Sequence, residues 1–391
     1  ASGAEHFHET SVWSLNSERE IGLLQAGQAR LLQADQVIIA TGAQERPVPF
    51  PGWTLPGVMH AGAGQILLKQ AGIVPDAGVV LAGSGPLLLL LAWQYLRAGV
   101  EVKAVLDTQP LSNWLRAAPY LPKALLAHHY ITKGLGYKRD LRAAGVLTRH
   151  GIQELRAVGG DSVHAVEYLY HNRLHRLETP LLLTHFGVIP QTHLSRAAGA
   201  AHTWDAAQLC WRPACDHWGA TDVDGIGIAG DGAGIGGART AEHGGRLAAL
   251  NALHALGRID RAERDRLGER DLRWMKDELR IRPFLDAMFR PPKRMLRHPV
   301  DEEILCRCEE VTAGDIRQAL GQGHRSPNAV KFHTRCGMGP CQGRQCMMAV
   351  AHILAEEGNR PMRPDAFFKV RPPVTPLTLG QLASLYPEQQ E

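Results

Sequence analysis

The chain has 391 residues, with 43 Lys and Arg against 39 Asp and Glu, 45% hydrophobic and 21% charged residues; such usage fits a globular protein of two or three domains and excludes a disordered chain, a coiled coil and a disulfide-stapled mini-protein. A net charge of +4 and 6% aromatic residues supply neither the basic field nor the stacking platform of a nucleic-acid binder. The longest apolar run, the seven residues 87–93, is far short of the ~20 that a membrane span needs.

Short strands are expected at residues 11–15, 21–24 and 29–32, separated by polar turns. They lead into Ala34-Asp-Gln-Val-Ile-Ile-Ala-Thr-Gly42, an apolar strand ending at a glycine turn, so that the start reads as the middle of a domain. Residues 79–107 form one complete βαβ pattern. It comprises a strand at 79–82, the turn Gly83-Ser-Gly85-Pro86, a helix at 87–98 stopped by Gly99, and a strand at 100–106 closed by Asp107. Residues 109–147 read mostly helical, broken at Pro119 and Pro122, and 151–182 alternate like a β-meander. Leu181-Leu-Leu-Thr184 and Phe186-Gly-Val-Ile-Pro190 follow. A late strand, Gly225-Ile-Gly-Ile-Ala229, runs into Gly230-Asp-Gly-Ala-Gly-Ile-Gly-Gly237 and then a helix at 238–256. Residues 257–300 hold 13 Lys and Arg against 8 Asp and Glu, with Pro283, Pro291, Pro292 and Pro299. They read as a charged, solvated helix and a proline-rich connector. Residues 301–355 are cysteine-rich, and a proline-rich tail from Arg360 is expected to pack as extended chain.

Four of the seven cysteines form two pairs, Cys306-Arg-Cys308 and Cys336-Gly-Met-Gly-Pro-Cys341, 27 residues apart. Thiolates are soft ligands that select iron–sulfur clusters or zinc. Zinc more often uses C-x2-C pairs; the tighter C-x-C hairpin and the glycines at 337, 339 and 343 favour a cluster, because glycine lets backbone amides reach the sulfur atoms. The candidate ligands are Cys306, Cys308, Cys336 and Cys341. Cys346, five residues past Cys341, is either a spare or substitute ligand or, the preferred reading, a core cysteine on the next helix, and Cys210 and Cys215 read as loop or core thiols. An odd, clustered set suits a reducing compartment rather than disulfides, so a cytoplasmic location is expected.

Gly83-Ser-Gly85-Pro-Leu-Leu88 matches G-x-G-x-x-G except at Leu88, which implies a wider helix–strand crossing or an altered site. Asp107, 24 residues after Gly83, stands where an acidic residue holds a ribose hydroxyl. NAD(P) or another adenine nucleotide is the candidate occupant at Gly83, Gly85 and Asp107. No P-loop, H-E-x-x-H, G-x-S-x-G elbow or C-x-x-C redox pair occurs, which removes P-loop NTPases, zincins, α/β-hydrolases and dithiol reductases. No residue is assigned a catalytic role.

Cys306-Arg-Cys-Glu-Glu-Val-Thr312 and Thr334-Arg-Cys-Gly-Met-Gly-Pro-Cys-Gln-Gly-Arg-Gln-Cys346 resemble the [2Fe–2S] module related to bacterioferritin-associated ferredoxin, whose cysteines at the matching positions 306, 308, 336 and 341 ligate the cluster. With Ala40-Thr-Gly-Ala-Gln-Glu-Arg-Pro47, they make nearly everything after the first 30 residues similar to the larger subunits of heteromeric flavin-dependent dehydrogenases. These are the α subunits of opine oxidases, of dye-linked proline or D-hydroxyproline dehydrogenases, and the related hydrogen cyanide synthase subunit.

The resemblance implies an α/β, two-dinucleotide-binding-domain (Rossmann-like) flavoprotein fold, N-terminally incomplete, plus a small, mainly helical [2Fe–2S]-binding domain. The expected divisions are a partial FAD-domain segment at 1–75, a nucleotide-binding domain at 76–190 and a return to the FAD domain at 191–256. A linker at 257–300, the cluster domain at 301–358 and a tail at 359–391 complete them. FAD is implied near Thr41, Gly42, Gly230, Asp231 and Gly232. There the Asp231 carboxylate would accept from flavin hydroxyls while amides at 233–237 meet the pyrophosphate. The first βαβ unit of the flavin domain is expected to precede Ala1, so FAD is expected of the intact protein. The implied partner is a smaller, flavin-containing catalytic subunit resembling D-amino-acid oxidase, and a small third subunit is a further candidate. The expected role is an electron-transfer subunit, passing electrons from flavin to the cluster while the C–N bond of an amino acid, imino acid or opine is oxidised. The alternative is a self-contained NAD(P)H-dependent flavin oxidoreductase.

Overall fold

The computed structural model describes residues 3–296, 300–359, 361–363 and 365–386; Pro299 of the expected connector and Arg360 at the start of the expected tail lie outside them. A five-stranded, wholly parallel sheet runs in the order Val58–His60, Leu181–His185, Val79–Gly83, Val102–Asp107, Leu147–His150. Uninterrupted apolar strands of this kind are buried on both faces. Val79, Val80, Leu81, Ala82, Leu182 and Leu183 are wholly buried. On one face, Leu88, Leu91 and Tyr95 of the helix Pro86–Arg97 pack with Leu141 of the helix His128–Ala143 against Val79, Leu81 and Val105. Leu88 therefore serves as helix–sheet packing where the fingerprint has glycine. The other face carries the antiparallel meander Glu154–Gly159, Val163–Tyr170 and Arg173–Glu178, seated through Leu155, Val166 and Tyr168 on Val80, Ala82 and Leu106.

A second unit pairs Val37–Ile39 in parallel with Ile226–Ile228, around a core of Leu15, Ile39, Ala198, Ile226 and Ile228. The three strands expected near the start form an antiparallel sheet of Thr10–Leu15, Glu20–Gln25 and Gln28–Gln33. The helix expected at 238–256 is Ala238–Ala255, and the charged helix after it is Arg261–Glu278, whose first turn is capped by Asp260 accepting from the Glu263 amide. A hairpin of His202–Asp205 and Cys210–Pro213 is not among the expected elements.

The cysteine-rich region folds as a hairpin, Ile304–Cys306 with Val311–Thr312, and the helices Ala313–Gly321, Pro327–Thr334 and Met347–Glu357. Leu305, Ile316, Val330, Val350 and Ile353 make its core, which Phe368 of the tail completes. Beyond it the tail runs largely as extended chain to the short helix Leu379–Ala383. It is fastened to the N-terminal sheet by Val374 N–H on Trp13 O (2.8 Å) and by Ala29 N–H on Ser384 Oγ (2.8 Å).

The chain crosses between the two α/β units through Ala43–Glu45 and Val188–Pro190, paired antiparallel. Arg46 locks this crossing. Its guanidinium is buried and donates to Phe186 O (3.1 Å), Leu209 O (2.7 Å) and Gln208 O (2.6 Å). Burial lowers its pKa from the ordinary value, and carbonyl dipoles take the place of a counter-ion. Arg46→Met leaves three carbonyls without a donor, each worth roughly 1–3 kcal/mol when buried. Partial relaxation should leave a loss of about 2–4 kcal/mol in urea unfolding, with Arg46→Lys intermediate; an unchanged midpoint would show that the crossing is held otherwise.

Candidate functional site

The Sγ atoms of Cys306, Cys336 and Cys346 all lie within 4.8 Å of one another and the three residues are buried. Cys308, exposed, and Cys341, half-buried, face each other and share a hydrogen bond beside them. Local chain geometry explains the convergence. The short hairpin delivers Cys306 to the core, while the left-handed Arg335 (φ 64°) ends the helix Pro327–Thr334 and turns Cys336 inward. At Gly339 a Cβ would come within 2.3 Å of the Cys308 Cβ, so only glycine lets the two thiol loops close. Thiol hydrogen bonds from Cys336 and Cys346 are the chief reason that Cys306 sits far below the ordinary thiol pKa. The amides of Gly337 and Glu309 add to it and burial opposes it. The hydrogen bond with Cys306 and burial push Cys336 and Cys346 up. The result is a sulfur-rich nest with backbone amides aimed into it, chemistry suited to a soft metal centre.

Of the four candidate cysteines the structure brings Cys306 and Cys336 together with Cys346, while Cys308 and Cys341 pair with each other beside them. A signal for Cys346 exists: Cys336, Cys341 and Cys346 stand at equal C-x4-C spacings. Cys210 is buried in its hairpin, where burial raises it to about 12, and burial also raises Cys215. These are inert thiols.

The two distant pieces of the expected flavin site meet. Gly232 packs on the backbone of Gly42, and Gly42 O accepts from Gln191 N–H (3.0 Å) while Thr41 Oγ1 donates to Gln191 O (3.3 Å). Gly230, Asp231 and Gly232 form a single 3-10 turn before the helix Ala238–Ala255. Asp231 Oδ1 accepts from the amides of Gly236 (2.9 Å) and Gly237 (2.8 Å), so this carboxylate organises the glycine loop itself. The Gly236 and Gly237 amides, expected to meet a pyrophosphate, donate to Asp231 instead.

At the other turn, Gly83 and Gly85 have φ of 131° and 144°, open only to glycine. The close approach they permit is made by the chain's own His185. Ser84 N–H donates to His185 O (2.7 Å), and a Cβ on Gly85 would lie 2.6 Å from the His185 ring. That ring is fixed by Glu45, whose Oε2 is 2.7 Å from His185 Nδ1 and whose Oε1 accepts from Gly62 N–H (2.6 Å). Asp107 is similarly engaged, with Oδ2 3.0 Å from His150 Nδ1 and Oδ1 accepting from Gln109 N–H. The His185 imidazole thus stands against Gly85, the glycine that in the fingerprint lets the backbone approach a pyrophosphate.

One segment joins the three places. Thr41 and Gly42 lie at the turn that meets Gly232, Glu45 holds His185, and Gln44 Nε2 donates to Arg344 O (3.0 Å), two residues before Cys346. His193, after the return strand, hydrogen-bonds Gln342 O (3.0 Å) beside Cys341. Trp53 Nε1–H donates to Ile304 O (2.7 Å), and Arg307 lies 5.2 Å over its ring.

A pyridine nucleotide-disulphide oxidoreductase family model matches residues 1–248, and a sarcosine oxidase A3 domain model matches residues 301–385. An opine oxidase subunit from Agrobacterium tumefaciens (strain Ach5) is 40% identical over 98% of this chain and 78% of its own. Hydrogen cyanide synthase subunit HcnB of Pseudomonas aeruginosa is 31% identical over 95% of this chain and 80% of its own. Among solved structures, L-proline dehydrogenase from P.horikoshii superposes with a TM-score of 0.66 at 18% identity, over 96% of this chain and 64% of that one. That likeness is one of fold, and the chain spans just under two thirds of the solved one.

The contact of Gly339 with Cys308 gives a direct test of the nest. Gly339→Val should drive the Cys308 loop outward and lower bound iron or zinc per chain by more than about half, since outer contacts of a metal site tune occupancy strongly. Elemental analysis of anaerobically purified protein reads this; wild-type metal content in the variant would mean that Cys308 lies outside the metal set.

Proposed function

The chain belongs to the family that includes the opine oxidase subunits of Agrobacterium and Rhizobium and hydrogen cyanide synthase subunit HcnB, built on the pyridine nucleotide-disulphide oxidoreductase fold, and from that premise we propose that it is the electron-transfer subunit of a heteromeric flavin-dependent dehydrogenase. The donor is an amino acid, imino acid or opine oxidised at its C–N bond, on a smaller flavin-containing partner subunit. The observation that carries the reading is the thiol nest joined to the flavin-side turn by the five residues 42–46.

Cys306, Cys308, Cys336, Cys341 and Cys346 offer five sulfurs where a [2Fe–2S] cluster takes four. Such a cluster would supply one-electron chemistry to a donor oxidation that releases two electrons. This chain's own residues hold the nest in place: the amides of Gly337 and Glu309 favour negative sulfur, and Phe368 closes one side against Gly337 and Gly343. Thr41, Gly42, Gly230, Asp231 and Gly232 are assigned to the flavin, with Asp231 fixing the amides of the loop.

The βαβ unit with its Gly83 turn favours the second reading, hydride entry from NAD(P)H. His185, clamped by Glu45 against Gly85, is the observation that weighs against it.

In the full-length protein, single Cys→Ser changes at the five positions should cost iron and visible absorption at four and spare one. Cys308→Ser should abolish reduction of an artificial acceptor while leaving assembly with the partner intact; acceptor reduction at the wild-type rate would sink the role. NADH or NADPH should leave the flavin absorption unbleached over minutes. Rapid bleaching, lost on Gly85→Ala, would establish the self-contained oxidoreductase instead.

A further inference from the structure

The cysteine-rich region divides its charges unevenly. From Ile316 to Ala355 there are five Lys and Arg and no Asp or Glu. Arg317 and Arg335 reach outside that stretch to Asp301 and Glu309, and Arg344 donates to the carbonyls of Cys341 and Val374. Arg325 and Lys331 have no carboxylate partner among the described residues. Two exposed cations of the tail, Lys369 and Arg371, lie beside them and are likewise unpaired among the described residues. Lys369 N–H donates to Asn328 Oδ1 (2.9 Å) on the helix Pro327–Thr334, and the charge of Arg371 reaches Lys331. His324, stacked on His333 with ring centroids 4.4 Å apart, fixes the loop that carries Arg325 to the same helix.

Among these cations stands Phe332. It lies one turn from Asn328 on the same side of the helix, while Val330, on the opposite side, is wholly buried. Phe332 is 82% exposed, the one large apolar side chain so exposed between residues 301 and 378 among those described. The face adjoins the thiol nest. Lys331 Nζ stands 5.6 Å from the centre of the Phe368 ring, which packs on Gly337 and Gly343, and the helix runs through Arg335 into Cys336. Obligate subunit interfaces are wide and apolar, whereas electron-transfer encounters are small. Charge steers such encounters, and aromatic residues and Arg are enriched at interface centres. One bare ring among four unpaired cations fits the second kind, and its complement is a surface of carboxylates. We propose that this face docks a small acidic one-electron carrier protein, which takes its electron from the metal centre of the nest. The inference rests on the electron-transfer reading and adds the partner that receives the electrons. Each encounter reduces the carrier by one electron and oxidises the centre by one. Two carriers are therefore reduced for each two-electron donor oxidation, and no bond is made or broken at the face.

Binding of an oxidised plant-type [2Fe–2S] ferredoxin, a strongly acidic carrier, to the full-length protein in its natural assembly tests this without turnover. Surface plasmon resonance at low ionic strength should show saturable binding that weakens as salt screens the charges. Cytochrome c, a basic carrier of similar size, should bind at least about tenfold more weakly. Arg325→Glu/Lys369→Glu should weaken ferredoxin binding by at least about tenfold, and Phe332→Ser should weaken it by about threefold or more. Iron content at the wild-type level certifies that these surface variants fold. Reduction of a small dye by the wild-type assembly, measured alongside, tests the electron-transfer reading by itself. A dye-active protein that does not bind ferredoxin at low salt overturns the docking alone; a protein that binds ferredoxin but passes no electron to dye or ferredoxin overturns the reading beneath it. Ferredoxin binding by the charge-reversed variant at the wild-type level, or equal binding of cytochrome c, overturns the proposal as well. Strong hydrogen-exchange protection of residues 325–335 by the partner subunit alone would do so too, by showing that the face is already covered.

Discussion

The structure depends on a buried guanidinium. Arg46 lies where the chain leaves one α/β unit for the other, and it holds three carbonyls from two separate segments without a carboxylate among its hydrogen-bond partners. A planar fork offers five donors in a fixed geometry that reaches three acceptors at once, and it keeps its charge when buried. Around it, the neighbouring residues face three different ways: Gly42 toward Gly232, Gln44 toward Arg344, Glu45 toward His185 and Gly62. The crossing therefore touches the Gly42–Gly232 turn, the thiol nest and the Gly83 turn alike.

The two chemically distinctive places are made by opposite means. In the nest, thiols are brought inward, and hydrogen bonds from its neighbours and from backbone amides favour negative sulfur at Cys306. At the Gly83 turn the backbone keeps the geometry of a nucleotide cradle, while a clamped imidazole stands against its second glycine. A fold can retain a turn for packing after its ligand chemistry has changed, and function is then read from the side chains that face it.

Most of this fold is legible in the sequence because its signals are local. Alternation marks the meander, apolar runs mark the parallel strands, and glycine turns mark the βαβ unit. The three N-terminal strands lie within a residue or two of their expected places. What escapes a reading of the sequence depends on contacts distant in the chain. Leu88 breaks the fingerprint but fills a helix–sheet layer, and the role of His185 follows from a strand that pairs beside residues a hundred positions earlier. The hairpin at Cys210 turns on Asp205, whose Oδ1 accepts from the Ala207 and Gln208 amides, and packs with Ile189 and the cysteine-rich core. Cys346 is set second, behind the two pairs, when spacing is read in pairs, because the three later cysteines form one series. That Cys336 meets Cys306 follows the turn at Arg335, and the bare backbone of Gly339 lets Cys341 lie beside Cys308.

The proposed role stands or falls on whether the thiol nest carries a redox cluster in series with a flavin. Low-temperature EPR of the full-length protein, purified without oxygen and reduced first with dithionite and then with the oxidisable amine alone, tests it most directly. A rhombic S = 1/2 signal is predicted in both cases, the second only with the partner subunit present. An EPR-silent, colourless protein with tightly bound zinc would contradict it and make the nest a structural knot.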